Sequence, residues 1–110
     1  MKSWLVTLTT NAKTDLQNIH DYIAFELFSP QTASTQVDRI LKVAENLAFF
    51  PKKYPLCRFQ GLEQKGLRAA SAGRYRIFYT ISEYTEEVFI ARILYEGRDA
   101  AKVFSRDLFK

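Results

Sequence analysis

The chain has 110 residues, 47% of them apolar and 25% charged, with a formal net charge of +4; that suits one globular domain over 1–110 hiding roughly 65% of its unfolded surface. One cysteine, Cys57, and one histidine, His20, exclude an internal disulfide and a His/Cys metal cluster, no stretch approaches the roughly 18 apolar residues of a membrane span, and MKSWLVTLTTNAK does not read as a secretory leader. The expectation is a soluble, cytoplasmic domain with no metal or cofactor, its positive charge concentrated in one half: 1–50 carry four basic and five acidic side chains, 51–110 twelve and seven.

Strand alternation opens the chain. In WLVTLT, over 4–9, Trp4, Val6 and Leu8 point one way and Leu5, Thr7 and Thr9 the other. Thr10 and Asn11 offer side-chain oxygens to cap a helix predicted over 12–28, whose apolar residues Ala12, Leu16, Ile19, Ile23 and Leu27 form one stripe. Ser29-Pro30 suits the N-cap and first position of a second helix over 31–50. There Ala33, Val37, Ile40, Leu41, Ala44 and Leu47 make the buried stripe, with Lys42 and Glu45 outside. So short a link predicts an antiparallel helical hairpin.

Pro51 and Pro55 end that pattern, and PKKYPLCRFQGLEQKG reads as a loop. Strand signals return in LRAASAGRYRIFYTISEYTEEVFIARILYEGRD, over 67–99, as three strands joined by two turns. Tyr75, Ile77, Tyr79 and Ile81 share one face, with Arg76, Phe78 and Thr80 on the other. Strict alternation in VFIARILY separates Phe89, Ala91, Ile93 and Tyr95 from Val88, Ile90, Arg92 and Leu94. Burying an unpaired guanidinium under the hairpin is costly, so the charge-free side should meet the helices. Arg76 and Arg92, joined by Arg68, then project from three adjacent strands onto the far face beside Phe78, Val88, Ile90 and Leu94. Each arginine alone could equally form a salt bridge or lie along apolar surface with its head in water. The tail RDAAKVFSRDLFK reads as a short helix that could lie across that face. The fold expected is α+β: an N-terminal strand and a helical hairpin, then a three-stranded antiparallel meander completing the sheet, and a short C-terminal helix or tail.

This order of elements, with DLQNIHDYI, SP, FP, G-L-R, G-R-YRIFY-I and ARILY-x-x-RD at their spacings, resembles the RelE/ParE superfamily of toxins from bacterial type II toxin–antitoxin (plasmid stabilisation) pairs over about 5–104. The resemblance implies a toxin neutralised by a cognate antitoxin, touching operator DNA only through that antitoxin. ParE-like members inhibit DNA gyrase without catalysis of their own; RelE-like members cleave mRNA on the ribosome. RNA cleavage through the 2′-hydroxyl needs a base, cations at the phosphate and an acid for the leaving oxygen. Arg76 matches the arginine of the family's Y-R strand motif and Arg98 falls where the RNA-cleaving branch has an arginine, the catalytic pair if the chain cleaves RNA, but Leu67 and Ala69 stand where that branch carries lysines, and Phe104 where it carries a tyrosine. Lys65 and Glu96 are poor substitutes, Tyr75 and Tyr95 point toward the helices, and His20 reads as a surface residue. RILYEGRD resembles the ParE-like ending R-I-L-H-G-R-R-D, with Tyr95 for the histidine and one arginine of the pair missing. Gyrase inhibition is thus the first expectation; a ribosome-dependent nuclease or an inactive interaction module is the alternative. Arg68, Arg76, Phe78, Ile90, Arg92, Leu94 and Arg98 are the expected antitoxin- or target-binding residues, with an antitoxin helix or strand covering the apolar ones and pairing acids with the arginines.

Overall fold

The computed structural model describes residues 3–59, 61 and 65–107. Its elements are β1 (Leu5–Leu8), α1 (Thr10–Asp21), a π-helical turn (Tyr22–Glu26), α2 (Pro30–Asn46), β2 (Arg68–Ala72), β3 (Tyr75–Ser82), β4 (Glu87–Tyr95) and α3 (Ala100–Asp107). The strands form one sheet in the order β1-β4-β3-β2, antiparallel except for β1, which lies parallel to β4. This is the α+β architecture expected, and the tail is a helix across the far face. The ending of the chain over 108–110 lies outside the described residues.

Local chemistry sets the element boundaries. Thr9, not Thr10 or Asn11, caps α1: its hydroxyl oxygen accepts the Ala12 N–H at 3.3 Å and the hydroxyl donates to the Ile90 carbonyl at 2.7 Å. One residue thus ends β1, starts α1 and pins the junction to β4. The first helix does not run regularly to Phe28. After Asp21 the hydrogen bonds lengthen, Leu27 N–H reaching the Tyr22 carbonyl five residues back, and Ser29 N–H closes on the Ile23 carbonyl over Phe28 at φ 52°. The extra residue in that turn rotates Leu27 off the apolar stripe, leaving it exposed. α2 stops at Asn46 rather than Phe50, tightening into bonds from Leu47 to Ala44 and Phe49 to Asn46 before Pro51. Ser29 contributes its backbone carbonyl to Ala33, while its hydroxyl donates to Thr32 Oγ1.

The helix-side core joins Ala12, Ile40, Ala44 and Leu47 to Ala70, Ile77, Tyr79, Val88, Ile90 and Ile93 of the sheet. The presence of Val88 and Ile90 there overturns the strict alternation expected for β4. Phe78 pairs with Arg92 but Tyr79 with Ile90, so Ala91 is an extra residue in a β-bulge. An inserted residue reverses which side chains face the helices on its two sides. Ile93 keeps its expected face, while Val88 and Ile90 change theirs.

α1 is fastened to the sheet where β1 ends. Beyond Leu8 the edge of β4 has no strand partner, and the Asp15 carboxylate takes that place, accepting the Ile93 N–H at 3.0 Å. The same carboxylate receives Arg92 Nε at 2.7 Å and Nη2 at 2.8 Å. Asp15 is only 7% exposed, so this is a buried, bidentate, charge-assisted pair. Asp15→Ala should cost about 3–5 kcal/mol in chemical denaturation by leaving the guanidinium unpaired, and Asp15→Leu combined with Arg92→Met should recover a large part of it.

Tyr79 supplies a second buried polar tie, its hydroxyl donating to the Pro51 carbonyl at 2.8 Å. Burial pushes this phenol from its ordinary value of 10.0 up to about 12, with nearby Arg68 opposing the shift. A raised pKa favours the neutral phenol in the folded state, so the associated stability is intact below pH 10 and is lost as pH rises toward 12. Alkaline denaturation should show this component, and Tyr79→Phe should remove it.

Candidate functional site

Arg68, Arg76 and Arg92, expected together on one far face, go to three different places. Arg68 pairs across the sheet with Tyr79, which belongs to the helix-side core, and donates from Nη1 to the Tyr54 carbonyl at 2.5 Å. Arg92 is bound to Asp15. Arg76 remains on the far face, its guanidinium carbon 4.8 Å from the centre of the Phe78 ring in a cation–π contact. Arg98 lies past the end of β4, where its N–H bonds to the Tyr95 carbonyl at 3.0 Å. Asp99 is engaged elsewhere, its carboxylate accepting the Lys102 N–H at the start of α3. The grouping of Arg68, Arg76 and Arg92 fails for two reasons: the β2–β3 register sets Arg68 opposite Tyr79 of the helix-side core, and Arg92, although opposite Phe78, is drawn to Asp15 at the open edge of β4.

The apolar residues expected to be open on the far face are closed. Phe78 and Leu94 are covered by Ala100, Val103 and Phe104 of α3, with Leu67 and Phe59 completing the cluster. The Phe78 and Phe104 rings meet edge to face, centres 5.3 Å apart, and Phe59 stands 6.1 and 6.3 Å from them. Ile90 is fully buried under the helices. Leu67 and Ala69, at the positions where RNA-cleaving relatives were expected to carry lysines, belong to this same far-face cluster. His20 Nδ1 lies 3.2 Å from the Asp21 carboxylate, a contact that, with a bond from Gln17, holds Asp21 below the usual carboxylate range. Among the described residues no group of His, Cys, Asp and Glu could hold a metal ion.

An open cleft of about 740 Å³ lies instead between the helical hairpin and the end of the sheet where β3 begins and β4 finishes. Ile19, Ile23 and Ile93 give it an aliphatic floor, and Tyr22, Tyr75 and Tyr95 line its walls. The Tyr75 and Tyr95 rings pack edge to face with centres 5.9 Å apart. Arg74 and Arg98 stand exposed among the lining residues, with Gln36 of α2 beside them. Gly73 places Arg74 there. It adopts φ +60° in the β2–β3 turn, and a Cβ at that position would come within 3.3 Å of Gln36 Nε2 and 3.2 Å of Arg39 Nη1, so the turn lies close against α2. Arg74 hydrogen-bonds Tyr95 and lies near Glu96, and both raise its already high pKa. Asp15 also lines the cleft, but its carboxylate is occupied by Arg92 and the Ile93 N–H.

Arg98 was anticipated as a site residue; Arg74, Tyr22, Gln36 and the pairing of Asp15 were not. The signal for Asp15 was an acid three residues after Ala12, inside the apolar stripe. Tyr75 and Tyr95 do turn toward the helices as expected. Because α3 is the cover of the far face, Phe104→Ala should cost about 3–5 kcal/mol and raise binding of a hydrophobic dye, whereas Arg76→Ala should cost less than about 1 kcal/mol.

Comparison with known proteins places these features in context. The family model described as the ParE toxin of type II toxin–antitoxin system, parDE, matches residues 6–100. Among solved structures, a chain of the chromosomal ParDE system from P. aeruginosa is 20% identical with a TM-score of 0.69, covering 84% of this chain and 96% of that one. A chain of the toxin–antitoxin complex RelBE2 from Mycobacterium tuberculosis is 25% identical with a TM-score of 0.60, covering 84% and 98%. A chain of the archaeal RelE–RelB complex from Pyrococcus horikoshii is 18% identical with a TM-score of 0.58, covering 88% and 99%. No curated protein matches.

Proposed function

Because the chain belongs to the ParE family of type II toxin–antitoxin toxins, its residues 6–100 matching that family model, we propose that this toxin acts as an inhibitory binding protein on DNA gyrase. It is released from and silenced by a cognate antitoxin, and performs no covalent chemistry of its own. The observation that carries this reading is the state of the far sheet face. Arg76 is the cation there, but it lies over the Phe78 ring, and the α3 position from which a tyrosine could pass a proton is Phe104, buried among aromatic rings. Leu67 and Ala69 beside it are apolar. A cation without a proton carrier can hold a phosphate; it cannot remove a 2′-hydroxyl proton or protonate the departing oxygen.

Ribosome-dependent mRNA cleavage is the second reading, and one observation favours it. In the cleft, Arg74 and Arg98 stand with the Tyr95 phenol, which combines cations and a proton-bearing group in one place.

The purified chain, tested in parallel, should inhibit supercoiling by gyrase and leave mRNA on translating ribosomes intact. Added antitoxin should restore supercoiling. Cleavage of ribosome-bound mRNA, lost in Tyr95→Phe, would replace the first reading with the second.

A further inference from the structure

Phe49 and Phe50, just past the end of α2, are 48 and 60% exposed and belong to none of the buried clusters. Single exposed apolar residues are ordinary, but these two stand near Trp4 and Tyr54, which rest with one side on the helix-side core. The backbone that carries them lies between α2 and β2 and is fastened at its carbonyls. Trp4 N–H bonds to Ala48 at 2.7 Å, Lys53 N–H to Phe50 at 3.1 Å, the Tyr79 hydroxyl to Pro51 at 2.8 Å and Arg68 Nη1 to Tyr54 at 2.5 Å. The polar backbone is thereby tied to the body of the protein, and the aromatic side chains are held out on a rigid support.

These rings stand at one end of a shallow groove along the outer side of α2. Three concavities, of about 700, 270 and 600 Å³, follow one another by sharing walls: Phe50 and Lys53 belong to the first and second, Val43 and Asn46 to the second and third. Thr35, roughly 16 Å from Asn46 at the helical rise, marks the far end. Among the described residues the lining cations are Arg39, Lys42, Lys52 and Lys53, and the lining acid is Asp38. Lys52 also pairs with Glu83, and Lys53 stands over the Tyr54 ring, 5.5 Å from its centre. The balance of charge along the groove is positive.

Rings and cations interleaved along a groove meet the two needs of an unpaired nucleic-acid strand, a flat surface for its bases and positive charge along its phosphates. A protein partner fits less well, since lysine is depleted at the centre of protein interfaces, and here Lys52 and Lys53 follow Phe50 with only Pro51 between. A duplex fits less well too, because its bases are already stacked on one another. We propose that the outer groove of α2 binds single-stranded DNA, with bases on Phe49, Phe50 and Trp4 and phosphates along Lys53, Lys42 and Arg39. The choice of DNA rests on the reading of this chain as an inhibitor of gyrase, whose substrate is DNA. It adds a direct contact to a chain expected to meet operator DNA only through its antitoxin.

The test titrates the full chain into a fluorescein-labelled thymidine strand of about 16 nucleotides and follows anisotropy at salt from about 0.05 to 0.2 M. Phe49→Leu with Phe50→Leu, which keeps apolar bulk and removes the rings, should weaken binding by roughly tenfold or more. Lys42→Gln with Lys53→Gln should weaken it too, and should lower the slope of log affinity against log salt by about 1.4, two phosphate contacts at about 0.7 each. All four side chains are exposed, so circular dichroism should show both variants folded. Phe25→Leu with Phe28→Leu, exposed rings at the hairpin bend, and Lys13→Gln with Lys102→Gln, an equal charge change outside the groove, should each weaken binding by less than about threefold. A duplex of the same length should bind at least about fivefold more weakly than the strand.

No binding by the wild-type chain at the lowest salt would overturn the groove, and so would an equal loss in the control variants, as unspecific charge attraction. Equal affinity for the duplex would overturn the role of the rings. A uridine strand bound about tenfold more tightly would reassign the groove to RNA. Loss of gyrase inhibition in the groove variants, from a wild-type chain that binds no strand, would make this face a protein contact instead. Strand binding by a chain that leaves supercoiling untouched would keep the groove and refute the gyrase reading.

Discussion

A single buried carboxylate holds the two layers of this molecule in their relation. Asp15 projects from α1 to the point where β4 has lost its strand partner, and it accepts the backbone N–H of Ile93 together with two N–H groups of Arg92. Each group would be expensive to bury alone. Together they satisfy one another, and the geometry they impose is directional in a way that apolar packing is not. β1 can therefore be only four residues long, because α1 continues its work along the β4 edge by side-chain chemistry. The edge is closed by a helix, which also shields it from pairing with other chains.

That tie has consequences on both faces of the sheet. It draws Arg92 away from Arg76, whose guanidinium lies over the Phe78 ring of the cluster that α3 covers. It also fixes how far α1 lies from the end of β4. The cleft is the space left between the hairpin and the last residues of the sheet, and its acid is already consumed. The carboxylate that secures the fold therefore lines the cleft already paired, beneath a rim where Arg74 lies near Glu96. This separates a face committed to stability, under α3, from the open cleft on the helix side.

Much of the fold was legible because it follows from periodicity. The stripe Ala12, Leu16, Ile19, Ile23 and the run Tyr75, Ile77, Tyr79, Ile81 each point their residues as the 3.6 and 2.0 repeats require, and the tail's Ala100, Val103 and Phe104 do form one apolar face. Reading failed where a repeat is interrupted by one residue. The π-helical turn after Asp21 put Leu27 in water, and the bulge at Ala91 moved Val88 and Ile90 beneath the helices. Neither insertion has a composition of its own to announce it. The candidate site failed for a different reason: the register of β2 sets Arg68 opposite Tyr79 on the helix side, and Asp15, distant in sequence, claims Arg92.

Sequence alone determined the α+β fold of the RelE/ParE kind, with its strands and helices in their order, and that Arg76 and Arg98 stand without the lysines and tail tyrosine of the RNA-cleaving branch, whose positions hold Leu67, Ala69 and Phe104. These are properties of local pattern and residue chemistry, and they survive whatever register the strands adopt. The tertiary structure decided which arginines are spent and which remain free. A guanidinium's role depends on what stands within about 3 Å of it, and Asp15 reaches Arg92 across 77 positions of sequence. It likewise decided that Phe78 and Leu94 do not form an open surface, because only the docking of α3 shows that they are covered.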